Sequence, residues 1–345
     1  MPIKTASDSK LPPVIWGTSG LGNIYQALPY QTKLDIVRNY IENSPGTPVF
    51  DSAGKYGAGL ALEVLGKCLR ELNIDPKQVI ISNKLAWYQT ELKTPQPTFE
   101  RDIWKDIDHD AVQKISYDGI LECFEQGNRL LGNYVPQMVS VHDPDEYLAA
   151  AKDEKDEKRR YQDILSAYCA LAELKKQGKV TAIGVGSKTW QVIERLTADV
   201  DLDWVMLANS LTLKSHPQEL IAFIGKLHEK NISVINSAVF NGGFLTGSDF
   251  YNYVQVDPNT KEGQDLLNWR KAFFALCEQF SIKPAEACFN FGFNIPGVNS
   301  VAMSTSKPEK VKENIEMAAK KIPPGFWKAM QEHGLLSKND TSFIG

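Results

Sequence analysis

Apolar residues follow two alternating patterns along the chain. Short runs rich in β-branched residues are typical of buried parallel strands. Longer segments, in which apolar residues recur every three or four positions, are typical of helices with one apolar face. Strands are predicted at Pro13–Trp16, Pro48–Phe50, Val79–Ser82, Gln137–Val141, Val180–Val185, Trp204–Leu207, Ser233–Ile235 and Ser300–Met303. Helices are predicted at Gln31–Asn43, Leu60–Leu72, Asp118–Leu131, Arg159–Gln177, Thr189–Leu196, Gln218–Glu229, Glu262–Asn290 (broken at Pro284) and Pro308–Lys320.

This alternation of strands and helices predicts an α/β protein whose parallel sheet closes into a (β/α)8 TIM barrel. Closure removes the exposed edges that an open sheet would leave. We expect residues 1–345 to form a single barrel domain, because the sequence contains no linker or low-complexity segment. An open, doubly wound sheet is the alternative fold.

Three segments interrupt the pattern. Ala86–Lys114 and Phe240–Lys261 are too long for ordinary connections. Both follow predicted strands, so in a barrel they would lie at the C-terminal face, where their aromatic residues either face a substrate or attach the loops to the barrel. The mixed charges of Ala151–Arg160 predict the solvated start of a helix.

The composition narrows the class of protein. Of the 345 residues, 43% are hydrophobic, which is ordinary for a globular enzyme. The formal net charge of −4 does not favour nucleic acid, and no apolar run is long enough for a membrane span. The first residues lack the apolar stretch of a secretory signal, and the five cysteines are scattered, so we expect reduced, mostly buried thiols in the cytoplasm. We expect a monomer or weak homo-oligomer that binds a small molecule and neither nucleic acid, membrane nor metal.

Polar residues stand at the ends of three successive predicted strands. Asp51 follows the second strand, Lys84 the third and His142 the fourth. Tyr56 lies five residues beyond Asp51. Because the C-terminal ends of barrel strands point into one shared pocket, the four side chains are expected to converge. Taken singly, Asp51 also fits a helix cap, Lys84 a solvated lysine and His142 a turn.

These four residue types suit a proton transfer that accompanies hydride transfer. Tyrosine has an ordinary pKa of about 10, and a neighbouring lysine ammonium lowers it by favouring the phenolate. An aspartate keeps that lysine charged, and a histidine hydrogen-bonds a carbonyl oxygen. Tyr56 is therefore predicted to protonate the developing alkoxide in carbonyl reduction, and to accept the proton in alcohol oxidation.

The sequence around this group resembles that of a known family. Residues 50–57, which contain the aspartate and the tyrosine, and the Leu-Gly pair at 65–66 closely resemble the aldo-keto reductase signature. The resemblance implies a (β/α)8 barrel, NADP or NAD as cofactor, and a catalytic tetrad of Asp51, Tyr56, Lys84 and His142.

The resemblance extends to segments that bind the dinucleotide in that family. Residues 183–187 are similar to the strand that binds the nicotinamide carboxamide, with Gly186 where the family has a serine. Asn236 stands where a tyrosine usually stacks on the nicotinamide, and residues 304–314 resemble the segment that binds the adenosine phosphate. The cofactor-binding residues that the resemblance implies are Gly17, Thr18, Ser187, Asn209, Ser237, Leu245, Ser304, Ser306, Lys310 and Asn314.

A narrower likeness concerns the substrate. Residues 17–25, 115–120 and 141–146 resemble the aldose dehydrogenase branch, which includes L-fucose, D-arabinose and L-galactose 1-dehydrogenases and pyridoxal 4-dehydrogenase. The likeness implies an NAD(P)-dependent oxidoreductase that interconverts an alcohol or hemiacetal and a carbonyl or lactone by hydride transfer, on an aldose such as L-fucose, D-arabinose or L-galactose. A general NADPH-dependent aldehyde or ketone reductase and a non-catalytic dinucleotide-binding subunit are the alternatives.

Two other motifs fit less well. Gly17, Gly20 and Gly22 follow the first strand, but their GxxGxG spacing differs from the GxGxxG of a Rossmann dehydrogenase. The acidic residues around His109 are interpreted as a solvated loop and not as a metal site.

Overall fold

Eight parallel strands close into a barrel in the computed structural model, which describes residues 11–337. Each strand pairs with the next one along the chain, and the eighth pairs with the first. The predicted (β/α)8 barrel is confirmed, and the alternative prediction of an open, doubly wound sheet is wrong. The barrel strands are β1 (Val14–Gly17), β2 (Val49–Ala53), β3 (Ile80–Leu85), β4 (Met138–His142), β5 (Ala182–Ser187), β6 (Trp204–Ala208), β7 (Ser233–Ser237) and β8 (Val298–Met303).

All the predicted helices are present, with shifts of a few residues at their ends. The predicted break before Pro284 is confirmed, because proline begins a new helix there. Two short helices at 144–149 and 324–332 were not predicted, since few turns give little periodic signal. The helices are α1 (Tyr30–Asn43), α2 (Leu60–Glu71), α3 (Tyr117–Leu131), α4 (Pro144–Ala149), α5 (Glu154–Lys176), α6 (Trp190–Asp199), α7 (Gln218–Glu229), α8 (Lys261–Gln279), α9 (Pro284–Asn294), α10 (Lys310–Glu316) and α11 (Pro324–Glu332).

Helix α5 begins five residues before its predicted start, inside the charged run Ala151–Arg160. The side chain of Asp153 caps it by accepting a hydrogen bond from the Asp156 amide at 2.8 Å. Acidic residues in the first turn and two lysines in the last turn oppose the helix dipole. The interpretation of this run as a solvated helix start is confirmed.

The two long segments that follow β3 and β7 contain antiparallel hairpins and are not simple loops. We call Ala86–Lys114 loop A and Phe240–Lys261 loop B. Their strands pair with each other and not with the barrel, so the alternation of barrel strands and helices gave no sign of them. The hairpin strands are Trp87–Glu91 with His109–Gln113 in loop A, and Phe250–Tyr251 with Val254–Gln255 in loop B.

Apolar side chains fill the N-terminal half of the barrel interior. Ile15, Val49, Met138, Trp204 and Ile235 belong to one buried cluster there. Two larger apolar clusters lie between the strands and the surrounding helices. The polar residues at the C-terminal strand ends therefore face a cavity that is closed from below by this apolar plug.

Within residues 11–337, no helix combines the length and the apolar character that crossing a membrane requires. All five cysteines carry free thiols. Cys169 is exposed and the other four are buried, in agreement with the expectation of mostly buried, reduced thiols.

Candidate active site

A cavity of about 340 Å³ lies at the C-terminal ends of the barrel strands. Every barrel strand contributes to its lining, and loops A and B add aromatic residues from above. Of the loop aromatics, Trp104, Phe240 and Tyr253 line the cavity. Trp87 and Phe99 pack on each other instead, with 5.5 Å between their ring centres. Phe99 belongs to a buried cluster with Ala58 of the turn after β2, so this pair holds loop A against that turn.

The four predicted catalytic side chains meet in this cavity. The Lys84 ammonium forms an ion pair with Asp51 on the neighbouring strand. The same Nζ lies 4.8 Å from the centre of the Tyr56 ring. The His142 ring meets the Tyr56 ring edge to face, with 5.7 Å between ring centres. The strand ends thus bring together an acid/base candidate, a cation, its counter-ion and a hydrogen-bonding ring, as their spacing in the sequence predicts.

A backbone contact between two glycines fixes the turn that carries Tyr56. Gly57 has a positive φ of 61°, which a residue with a Cβ adopts at a cost. A Cβ at Gly57 would also lie 2.4 Å from the carbonyl oxygen of Gly22. Gly22 therefore packs against the catalytic turn, and a Cβ at Gly22 would lie 2.8 Å from the Tyr56 carbonyl carbon.

The proton affinity of Tyr56 is set by two opposing effects. Burial raises the pKa of Tyr56 to about 12, although the Lys84 ammonium acts to lower it. The sequence predicted a lowered pKa from the lysine alone, and this net direction was wrong because desolvation is the larger effect. Tyr56 is consequently protonated at neutral pH, as a proton donor to an alkoxide must be.

Burial and neighbouring charges also set the ionisation of His142 and Lys84. Burial, together with the ammonium groups of Lys84 and Lys55, lowers the pKa of His142 well below its ordinary value. His142 is therefore neutral at pH 7 and acts as a hydrogen-bonding group. Burial also lowers the pKa of Lys84, but the Asp51 carboxylate outweighs it and the net pKa is raised. The lysine stays charged beside Tyr56.

Sequence reasoning missed a second charged group in the cavity wall. Lys55, which directly precedes Tyr56, is only 3% exposed. Its Nζ lies 3.1 Å from Asp143, 3.0 Å from Glu146 and 2.8 Å from Glu100. The only signal in the sequence was a lysine inside the signature, and a lysine there could equally well be exposed to solvent. Only the fold shows that three carboxylates surround it.

Some of the residues implied to bind a dinucleotide line the same cavity, namely Gly17, Ser187, Ser237 and Ser304. Asn209 directly follows β6, and its buried Oδ1 has no hydrogen-bond partner within residues 11–337. A buried acceptor without a partner fits a ligand that donates a hydrogen bond there, as a nicotinamide carboxamide does. These residues therefore fit a dinucleotide.

Thr18 and Leu245, by contrast, have side chains outside the cavity lining. Thr18 is buried, and its Oγ1 donates to the Asp51 carbonyl oxygen at 3.1 Å. Leu245 is buried in the apolar core between barrel and helices. Their side chains support the strand ends and do not face the cavity.

The remaining implied cofactor residues lie between β8 and the middle of α10. Ser306 and Asn314 are half-buried, and Lys310 is exposed at the first position of α10. The Lys310 Nζ pairs with Glu313 at 2.7 Å, and Glu313 also pairs with Lys283. The positive charge available to a phosphate at this end is thus partly neutralised.

Two positions where the sequence departs from the family pattern are explained by the structure. Asn236 is fully buried, and its Nδ2 donates to the carbonyl oxygens of Leu211 at 3.0 Å and Gly292 at 3.3 Å. It does not line the cavity, so it replaces a stacking tyrosine with a structural amide. Gly186 lies against Lys84, where a Cβ would be 3.3 Å from the lysine Cδ.

The acidic segment around His109 belongs to the loop A hairpin. Asp110 is buried, and its carboxylate accepts hydrogen bonds from the backbone amide and the hydroxyl of Thr98. Within residues 11–337, no group of three or more His, Cys, Asp or Glu side chains is arranged to bind a metal ion. The acidic segment is thus a structural part of loop A, and it is less solvated than the sequence indicated.

Comparison with known proteins decides the family. The family model described as "Aldo/keto reductase family" matches residues 13–334. The chain belongs to the aldo/keto reductase family. It is accordingly an oxidoreductase of a family that uses NADH or NADPH.

Curated relatives of this aldo/keto reductase are distant but match along almost their whole length. Pyridoxal 4-dehydrogenase of Microbacterium luteolum is 24% identical over 336 residues, which are 93% of this chain and 93% of the relative. D-threo-aldose 1-dehydrogenase of a Pseudomonas species is 25% identical over 351 residues, covering 97% and 98%.

Solved structures share the fold at lower identity. The glycerol dehydrogenase of Gluconobacter oxydans superposes with a TM-score of 0.68 at 16% identity, covering 96% of this chain and 97% of the other. A holo aldo-keto reductase of Bacillus halodurans gives the same TM-score and identity, covering 96% and 95%.

Proposed function

We propose that this aldo/keto reductase oxidises a free aldose at its anomeric carbon to a lactone, with NADP or NAD as the hydride acceptor. The observation that carries the proposal is the composition of the cavity wall. Trp104 and Tyr253 offer aromatic faces, whereas His142, Asp143 and Lys188 offer polar groups. A sugar ring has an apolar C–H face and a hydroxylated rim, which suit such a wall. The D-threo-aldose 1-dehydrogenase relative supports the same substrate class.

The tetrad performs the proton transfer of this reaction. When bound, the dinucleotide supplies the hydride acceptor for oxidation and the hydride donor for reduction. Tyr56 takes the proton of the anomeric hydroxyl as the C1–H bond breaks and the C1=O bond forms. Tyr56 accepts this proton in its phenolate form, which the Lys84 ammonium stabilises, and neutral His142 hydrogen-bonds the same substrate oxygen. In the reverse direction Tyr56 returns the proton to the carbonyl oxygen.

A substrate comparison tests the proposal. With saturating NADP or NAD, we expect oxidation of at least one of L-fucose, D-arabinose and L-galactose, with pyridoxal included because of the other curated relative. Reduction of simple aldehydes by NADPH is measured beside it. Brisk aldehyde reduction without oxidation of any sugar would favour a general reductase. Dinucleotide binding without turnover of any compound would favour a non-catalytic subunit.

The pH dependence follows from the raised pKa of Tyr56. Below that pKa of about 12, the phenolate fraction grows about tenfold per pH unit, so kcat/KM for sugar oxidation is expected to rise with pH. The protonated fraction stays near one, so kcat/KM for carbonyl reduction is expected to stay flat from neutral to moderately alkaline pH. Steady-state rates in both directions across pH 6–10 check this. A reduction rate that falls tenfold per unit from pH 7 would show that another group donates the proton.

We expect NADP to be accepted with only modest discrimination over NAD. Lys310 is the basic group in the segment that resembles the adenosine phosphate site, and Glu313 already pairs with it. Glu313→Gln should free the ammonium and increase the ratio of NADP to NAD affinity by about two- to fivefold, since exposed ion pairs are weak. Dissociation constants of both cofactors measure the effect.

The matched control for this experiment is Glu316→Gln on the same helix, whose partner is Lys312. It should leave the ratio of affinities unchanged. A preference of more than about a hundredfold for NAD in the unmodified protein would place Lys310 away from the 2′-phosphate position.

A further inference from the structure

Lys55 is a buried charge that the proton transfer does not use. Burying an ammonium is costly unless carboxylates pair with it, and Glu100, Asp143 and Glu146 do so within 3.1 Å. These carboxylates belong to different elements, since Glu100 lies on loop A and the other two lie at the end of β4 and in α4. Lys55 therefore connects the catalytic turn to loop A.

Glu100 carries this connection onward to the substrate side of the cavity. Its Oε1 pairs with the Lys55 Nζ at 2.8 Å, and its Oε2 accepts a hydrogen bond from the Trp104 Nε1 at 2.8 Å. The Trp104 ring in turn lies against Tyr56, with 5.8 Å between ring centres, and lines the cavity. One carboxylate thus joins the buried Lys55 ammonium to the indole of a loop residue that lines the cavity.

The backbone of loop A supports this geometry. Glu100 and Asp102 both have positive φ angles, 41° and 67°, which non-glycine residues adopt at a cost. The Tyr25 amide donates to the Ile103 carbonyl oxygen at 2.7 Å, which fixes the main chain next to Trp104. The backbone contact places Trp104, and the hydrogen bond to the Glu100 carboxylate constrains the indole N–H.

We propose that Lys55 and Glu100 are positioning residues for the substrate. Their ion pair orients the Trp104 indole against Tyr56, and the indole forms the wall on which the substrate ring rests. This proposal rests on the proposed function, because it assumes that the reacting oxygen of the substrate lies at the Tyr56 hydroxyl. Neither Glu100 nor Trp104 takes part in the Lys84–Asp51 ion pair, so the charge beside the Tyr56 hydroxyl stays in place. Removing the Glu100 carboxylate is therefore expected to weaken substrate binding and to leave kcat nearly unchanged.

Glu100 is the better position to test, because changing Lys55 would also unpair Asp143, whose carboxylate lies 3.5 Å from the His142 Nε2. Glu100→Ala should raise KM for the best substrate about tenfold, the effect of losing a hydrogen bond to a charged group. Glu100→Gln keeps an oxygen for the indole N–H but loses the ion pair with Lys55, so it should restore only part of the affinity. Glu91→Ala, a glutamate of loop A that is 80% exposed, is the matched control and should change nothing.

A double variant tests whether the effect passes through the indole. Trp104→Phe removes the Nε1–H and keeps a ring, so adding Glu100→Ala to it should raise KM little further. If the increases in KM caused by Glu100→Ala and by Trp104→Phe multiply in the double variant, the proposal is overturned, because Glu100 would then act on the substrate by another route. Equal losses of kcat and kcat/KM in Glu100→Ala, with KM unchanged, would overturn it as well.

A measurement without turnover separates this proposal from the proposed function. Trypsin cleavage after Arg101 and Lys105 in loop A should be faster in Glu100→Ala than in the unmodified protein or in Glu91→Ala. Unchanged cleavage would show that the pair does not order the loop. If no sugar is oxidised, the same KM comparison is made with the aldehyde that is reduced best, so the substrate class can fail while the positioning role is still decided.

Discussion

Tyr56→Phe is expected to lose roughly 10²–10⁴-fold in kcat while dinucleotide affinity stays unchanged. The phenol oxygen is the acid and base of the proposed reaction, and the ring that packs against His142 and Trp104 remains in the variant. The loss should be the same for oxidation and reduction at a given pH, since both directions use the same hydroxyl. Steady-state rates and a titration of protein fluorescence with NADPH measure the two properties.

Tyr134→Phe is the control for the loss of a buried tyrosine hydroxyl. The Tyr134 Oη donates to the Ile74 carbonyl oxygen at 2.7 Å and does not line the cavity. This variant should be less stable by about 1 kcal/mol and fully active. A Tyr56→Phe protein that turns over its best substrate at the unmodified rate would remove Tyr56 from the mechanism.

Lys84→Met is expected to lose both activity and stability. The ammonium opposes the burial effect on Tyr56, so without it the pKa of the tyrosine rises further and the hydroxyl becomes a poorer proton donor. The change also leaves the Asp51 carboxylate buried without its partner, which costs about 3–5 kcal/mol in the free energy of unfolding. Urea unfolding and steady-state rates at pH 7 measure the two losses.

The double variant Asp51→Asn/Lys84→Met separates the two effects. Neutralising the carboxylate removes the unpaired buried charge, so most of the lost stability should return while activity stays low. An Lys84→Met protein that unfolds at the same urea concentration as the unmodified protein would mean that the pair is already solvated. Recovery of activity in the double variant would mean that Lys84 acts only through stability.

The positions of the tetrad were predictable because they depend on short-range features. Each barrel strand is a local apolar run, and the residue that follows it is placed at the C-terminal face whatever the distant sequence does. Asp51, Lys84 and His142 are therefore located by their strands, and Tyr56 by a short turn. The proton chemistry of these residue types follows from their ordinary pKa values, although its net direction at Tyr56 does not.

Contacts between residues far apart in the chain were decided only by the tertiary structure. Lys55 pairs with carboxylates at 100, 143 and 146, and no local pattern links these positions. The hairpins of loops A and B pair with themselves, so they lie outside the alternation of barrel strands and helices.

The removal of water from around a buried side chain such as Tyr56 also occurs only in the folded protein. The sequence by itself predicted the barrel and the convergence of the four tetrad residues, because these rest on local hydrophobic periodicity and on residues at strand ends. The segments for a dinucleotide rest on the resemblance to the family and stay a prediction. The depth of Tyr56 in the cavity, its pKa of about 12 and the Lys55–Glu100–Trp104 connection required the closed barrel, since burial and long-range ion pairs arise from packing and not from sequence neighbours.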